Sequence, residues 1–427
     1  MKPQTSNLMI KTNDKNLKSW IVVPENSDFP IQNIPFGVYK AKDGNIAVAT
    51  RIGNMVIDLF KVGKLEYLSV DASVFNSDKL NNFMHLGKQA TRKVRDEISA
   101  IFNVENEKAK NDAALKEALY PIDEVEMLLP ITVGDYTDFY SSEQHAYNVG
   151  CMFRDPNNAL LPNWKYIPVG YHGRASSIVV SGTPIYRPKG QQQPKDNEPP
   201  IFGPCKLLDF ELEMAFVTYN GKPLGESITT AEAEEYIFGM CLFNDWSARD
   251  IQKWEYVPLG PFLAKNFGSS ISPWIVTLDA LEPYRTNGVV QNPAVFDYLK
   301  YQGDKNIDIN LQVAIQPENT TETVVSNSNY KYMYWNMNQQ LAHHTINGCN
   351  IKAGDMMASG TISGNDESAY GSMLEISWKG TKSVKMTDGT ERKFIADNDT
   401  VIMRGYSEKN GIRIGFGEVS TKILPSK

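Results

Sequence analysis

Glu211 and Glu213 stand two apart in the run Phe-Glu-Leu-Glu-Met-Ala-Phe at 210–216. In a strand, side chains two apart share a face. Both carboxylates then emerge together, while Leu212 and Met214 turn the other way. Like charges held this close repel unless something positive lies between them. Oxygen ligands in this arrangement suit a hard cation such as Ca²⁺ or Mg²⁺. A lone Glu-x-Glu is more often a solvent-facing pair on an amphipathic strand, so the rest of the chain has to decide.

Three further stretches concentrate chemistry. Gly134 to Ser142, leading on to His145 and Arg154, offers Asp138 as a third metal carboxylate and His145 as a base. Taken alone, such residues are more often turn formers or satisfied core groups. Asn244 to Ser270 crowds Asp245, Arg249, Gln252, Tyr256 and Lys265 into a short span. A metal carboxylate, hydrogen-bond donors and an ammonium could share one pocket there. The plain reading is a mixed-charge surface helix, but Trp246, Trp254 and Phe262 argue against full solvation. Ala358 to Gly364 carries Gly360 and Gly364, which permit close backbone approach to a ligand, with Glu375 on the strand expected next. His343 and His344 are adjacent, so they share no face and read as structural. Tyr171-His-Gly-Arg174 is a donor-rich loop.

The elements that must position these groups follow from pattern. Residues 1–18 read as a polar, Lys-rich leader. Residues 19–122 read as a small β domain, with one or two helices between 80 and 119 closing it. Residues 123–427 read as a larger, strand-dominated domain. Strands are expected at 178–181, 206–216, 274–277, 307–315, 373–378 and 400–403, a helix at 231–240, and a long Pro-rich loop at 184–204. The fold class is mainly β or α+β. The chain of 427 residues carries 43 Lys and Arg against 50 Asp and Glu, a net charge of −7. That balance argues against a nucleic-acid surface. No apolar run reaches membrane-spanning length, and no signal-peptide pattern opens the chain. Four dispersed cysteines without Cys-x-x-Cys spacing fit reduced thiols and a cytoplasmic location.

Several runs together carry a resemblance. Gly-Asp-Tyr-Thr-Asp-Phe-Tyr-Ser-Ser (134–142), Leu-Leu-Pro-Asn-Trp (160–164) and Pro-Val-Gly-Tyr-His-Gly-Arg-Ala-Ser-Ser (168–177) are three of them. Asn-Asp-Trp-Ser-Ala-Arg-Asp-Ile-Gln (244–252) and Ala-Ser-Gly-Thr-Ile-Ser-Gly (358–364) are two more. They resemble the fumarylacetoacetate hydrolase family, and the segment from Asp28 to Val38 is similar to that family's N-terminal domain. The resemblance implies an SH3-like N-terminal β-barrel, a larger mixed β-sandwich roll and a homodimer.

The resemblance also implies residue roles. Asp138, Glu211, Glu213 and Asp245 would hold Ca²⁺ or Mg²⁺. A second, structural Mg²⁺ would use the region of Asp245, Lys265 and Ser269. Ser269 stands where the family has Thr, which keeps the hydroxyl, and Ala264 stands where Gly is common. His145 would be the general base, oriented by Glu375. Arg249, Gln252 and Lys265 match oxyanion donors. Tyr140, Arg154, Tyr171, Gln252, Tyr256 and Thr361 match substrate contacts. The implied reaction is hydrolysis of the carbon–carbon bond of 4-fumarylacetoacetate, with fumarylpyruvate or a similar diketo acid as the alternative substrate. A catalytically idle metal-binding scaffold is the reading from a different class.

Overall fold

The N-terminal strands are short because Gly-containing turns interrupt them. Gly44 and Gly53, at φ of 90° and 55°, sit between the strands Phe36–Ala41, Ile46–Ile52 and Met55–Asp58. In this computed structural model, which describes residues 10–427, these strands form an antiparallel sheet with Leu119–Pro121 and Val125–Leu128. The order across the sheet is 119–121, 55–58, 46–52, 36–41, 125–128. Helices Asn81–Met84, Gly87–Phe102, Glu107–Asn111 and Ala113–Lys116 follow, where one or two were expected. Breaks at Asn106 and Asp112 explain the extra pieces, since each side chain caps the helix after it. Val94, Ile98, Ile101 and Phe102 bury one face of the long helix.

Residues 1–9 of the expected leader lie outside the described residues. The remainder is not loose. Lys11–Asn13 forms a turn, Thr12 is buried and donates to Asp96 at 2.6 Å, and Asn13 donates to the Asp279 carbonyl at 2.6 Å.

Two sheets build the larger unit. The first orders its strands 170–172, 136–139, 356–358, 212–218, 237–245, 269–271, 178–180, with 276–277 also paired to 237–245. The second orders them 323–329, 310–316, 400–409, 412–424, 185–186. Strand Leu212–Thr218 is buried along its whole length because it has a neighbour on each face. Leu212, Met214 and Phe216 pack with Leu311, Val313 and Phe416 of the second sheet. Ala215 and Val217 pack instead with Phe36, Val38 and Ile98 of the N-terminal unit.

Three expectations are corrected. The helix at 231–240 is a single turn, Ala233–Glu235, followed by strand Ile237–Asp245. The apolar run from Ile237 to Phe243 is buried on both sides, and tertiary burial overrides the helix-prone start. The strand at 373–378 is a short helix, Met373–Ile376, whose start is capped by Ser372 accepting from the Glu375 amide at 3.3 Å. The loop at 184–204 contains strand Ile185–Tyr186 and a hairpin pairing Lys189–Gln192 with Ile201–Pro204.

Phe36 joins the two units. Its backbone pairs with Ile275 at 2.8 and 2.9 Å. Its buried ring lies 4.9 Å from Phe83 and 5.9 Å from Phe238. Phe36→Ala should therefore cost about 3–5 kcal/mol of stability in urea unfolding. A loss below about 1 kcal/mol would mean that the junction collapses around the gap and is not a packed core.

Candidate active site

Adjacent strands bring the carboxylates together. Asp138 pairs with Ala358, Leu212 pairs with Asn244, and Asp245 pairs with Ser269. Glu211 precedes its strand and bridges to Ser372, yet it still reaches the same point as Glu213. One oxygen from each of Asp138, Glu211, Glu213 and Asp245 lies within 4.8 Å of the others. All four residues are buried. The strand between Asp138 and Glu213 stops at Ala358, and the amide of Gly360 donates to Glu213 Oε2 at 2.9 Å. Only glycine fits there, because φ is +78° and a Cβ would lie 2.3 Å from the Phe139 carbonyl oxygen.

Cations meet one side of this cluster. Lys265 Nζ donates to Asp245 Oδ2 at 2.6 Å and also to Glu211 Oε2. Arg249 Nη1 reaches Glu211 Oε1 at 2.8 Å. Burial would raise Glu211, yet the Lys265 and Arg249 charges outweigh it and hold the carboxyl down to about 2. The other side has no cation among the described residues. Burial, then the Asp245 charge, pushes Asp138 well above the usual carboxylate range. Burial, then the Asp138 charge, does the same to Glu213.

Asp138 Oδ1 and Glu213 Oε1 are buried with no hydrogen-bond partner among the described residues. Two such orphans facing an all-oxygen donor set are what a hard divalent cation would satisfy. The residues present therefore fit such an ion. Lys265 and Ser269 fit a ligand role differently. The Lys265 ammonium offers protons rather than a lone pair, so it could ligate only through its backbone oxygen. Ser269 Oγ lies 3.2 Å from Asp245 Oδ1.

His145 sits on helix Glu143–Phe153, whose start Ser142 caps. Its Nδ1 lies 2.6 Å from Glu375 Oε2, and both side chains are buried. Glu375 also accepts from Asn148 at 2.9 Å, Ser363 at 3.0 Å and Ser372 at 2.9 Å. Burial would raise Glu375, but the imidazole and the Asn148 and Ser372 hydrogen bonds outweigh it and lower it. A held Nδ1 leaves Nε2 as the free ring nitrogen.

The expected substrate contacts are placed unevenly. The Tyr140 ring packs edge-on to His145 with centroids 5.3 Å apart. Tyr171 donates to Asp245 Oδ2 at 3.2 Å, and the Gln252 carbonyl oxygen lies 3.2 Å from Arg249 Nη1. Thr361 is buried two residues after Ser359. Arg154 and Tyr256 are exposed, and Arg154 donates to the Ala159 carbonyl at 2.6 and 3.1 Å. His343 and His344 stand apart from the cluster and bond Tyr298 and Thr137. An open groove of about 700 Å³ near Arg51, Trp274 and Arg404 shares no residue with the cluster.

Sequence reasoning missed Asp209, Asn148, Ser363 and Ser372, which anchor Arg249 and Glu375. Asp209 stands two before Glu211 and continues its alternation, which is the one signal that could have flagged it.

Comparison with known proteins places this geometry. Residues 32–130 match the model of the fumarylacetoacetase N-terminal domain, and residues 136–423 match the fumarylacetoacetate (FAA) hydrolase C-terminal domain. The chain is 51% identical over 414 residues to fumarylacetoacetase of Homo sapiens, covering 96% of this chain and 99% of that one. It is 52% identical over 422 residues to fumarylacetoacetase of Dictyostelium discoideum, covering 96% and 98%. Among solved structures, a fumarylacetoacetate hydrolase from Exiguobacterium antarcticum shares the fold, with a TM-score of 0.53, 17% identity and coverage of 92% of this chain and 99% of that one. With both domain models matched in order and half the residues shared along nearly its whole length, the chain belongs to the fumarylacetoacetate hydrolase family.

Proposed function

We propose that this protein hydrolyses 4-fumarylacetoacetate to fumarate and acetoacetate, the last step of tyrosine and phenylalanine breakdown. The buried His145–Glu375 pair beside the carboxylate cluster is the observation that carries this reading. Near-full-length similarity to fumarylacetoacetases supports it over fumarylpyruvate or another diketo acid. The intact pair and cluster speak against an idle scaffold.

His145 Nε2 takes a proton from water, and the oxygen attacks the ketone carbonyl of the fumaryl group. Glu375 orients the imidazole and stabilises its charge. Lys265, Gln252 and Arg249 face the developing alkoxide as donors. Arg249 Nη2 is buried and unpartnered among the described residues, so it is free for that task. The carbon–carbon bond then breaks, and its electron pair leaves with the acetoacetate carbon as an enolate. His145 returns the proton to that carbon. Asp138, Glu211, Glu213 and Asp245 would hold Ca²⁺ or Mg²⁺, and the bound ion would spread the enolate charge as a Lewis acid. A second Mg²⁺ would use Asp245, Ser269 and the Lys265 backbone oxygen. Tyr140, Tyr171, Tyr256 and Thr361 would shape the substrate site, and Arg154 would meet a substrate carboxylate through its fork.

Homodimerisation fits the exposed apolar run at Tyr256, Val257, Leu259, Phe262 and Leu263. No described helix is long and apolar enough to cross a membrane. The unpaired cysteines support a reducing, cytoplasmic setting.

Purified protein should consume the diketone absorbance of fumarylacetoacetate and release fumarate and acetoacetate equally. Exhaustive EDTA treatment should abolish this, and added Mg²⁺ or Ca²⁺ should restore it. Faster turnover of fumarylpyruvate would overturn the substrate assignment. His145→Ala should lower kcat by ~10²–10⁴ while the fold stays intact by circular dichroism. A variant within tenfold of the native rate would remove His145 as the base. Asp138 and Glu213 are pushed up without a cation, so binding one should expel protons and tighten as pH rises. Calorimetry in two buffers of different ionisation enthalpy reads that release, and zero net release would contradict it.

A further inference from the structure

Asp209 touches both halves of the site without facing the reacting centre. It ends the short strand Leu208–Asp209, paired to Ser247, and is fully buried. Its Oδ1 accepts from the Met373 amide at 2.7 Å. Its Oδ2 accepts from the Leu374 amide at 3.0 Å and from Arg249 Nε at 2.8 Å. Met373 and Leu374 open the helix whose third residue is Glu375, the partner of His145. Arg249 Nη1 reaches both Glu211 Oε1 at 2.8 Å and the Gln252 side-chain carbonyl oxygen at 3.2 Å.

We propose that Asp209 is a positioning residue that fixes the distance between the His145–Glu375 pair and the Arg249–Glu211 side of the carboxylate cluster. The inference rests on the hydrolase reading only for its kinetic consequence. A carboxylate is required at this point. Three N–H donors converge on its two oxygens, and none of them can accept a hydrogen bond. An amide of the same shape offers one accepting oxygen. Whichever way it flips, its NH₂ faces at least one N–H donor. Asp209→Asn therefore leaves the packing volume unchanged and releases an amide at the start of the Glu375 helix in either flip, and Arg249 as well in one of them. Helix Met373–Ile376 is a single turn, so its placement depends on such anchors more than a long helix would.

The test uses the full-length, metal-loaded protein. Asp209→Asn should lower kcat on fumarylacetoacetate by about 10- to 100-fold, the loss expected when reacting groups shift by a fraction of an ångström to an ångström. KM should change far less. In a Glu375→Gln background the same substitution should cost little more, because it acts through a group already disabled. The downfield proton resonance of the His145 Nδ1–H···Glu375 bond, read by NMR without substrate, should shift or vanish in Asp209→Asn. Asp209→Ser, which introduces no bulk, should behave the same way if the Asn variant folds poorly. Native kcat in a folded variant, or full additivity with Glu375→Gln, would overturn the proposal. An unmoved resonance would overturn it as well. A native enzyme silent on fumarylacetoacetate, with a resonance that still moves, would sink the substrate reading and leave Asp209's positioning role standing.

Discussion

The structure depends on how mutual repulsion among buried carboxylates is relieved. Asp138, Glu211, Glu213 and Asp245 bring oxygens within 4.8 Å in the buried interior. Each ionised pair at such a separation repels by roughly 3–4 kcal/mol even at an effective dielectric near 20. Lys265 and Arg249 relieve the Glu211 and Asp245 side. Asp138 and Glu213 have no such partner among the described residues, and their orphaned oxygens mark where positive charge is missing. A divalent cation is the simplest species that removes both the repulsion and the unsatisfied acceptors.

That constraint explains much of the surrounding fold. Strand Leu212–Thr218 has to be held on both sides, since one slipped residue would turn Glu213 away from the cluster. The second sheet fixes one face, and the N-terminal unit fixes the other through Ala215, Val217 and the Phe36 junction. Gly360 allows the neighbouring strand to end early and cap Glu213 with a backbone amide. His145 arrives from a separate helix, so Glu375, Asn148, Ser363 and Ser372 must fix its orientation from the far side. Asp209 ties that arm to the strands.

The sequence made some of this legible. The two-residue period at Glu211 and Glu213 pointed both carboxylates to one place, which the structure bears out although Glu211 stands just before its strand. The division into a small β unit and a larger strand-rich unit was also visible. Asp138 and Asp245 stood as candidate carboxylates on their own, but joining them to the pair, and Glu375 to His145, needed the family resemblance, because contacts between residues tens to hundreds of positions apart leave no local pattern. The 231–240 stretch misled because Ala and Glu at its start favour helix, while burial of Ile237–Asp245 on both faces decided for strand. Met373–Ile376 misled in the opposite sense, since its apolar residues serve a one-turn helix held by Ser372 and Asp209. Asp209 itself stayed hidden because two of its partners are backbone amides, which carry no signature in a sequence.

The central claim is that the four buried carboxylates form one cation site. Anomalous diffraction from a crystal of the protein soaked in Mn²⁺ addresses it directly. The expected result is a strong peak roughly 2.0–2.6 Å from oxygens of Asp138, Glu211, Glu213 and Asp245. A crystal with no peak among these four residues, or with the ion held elsewhere while Asp138 and Glu213 share a proton, would contradict it.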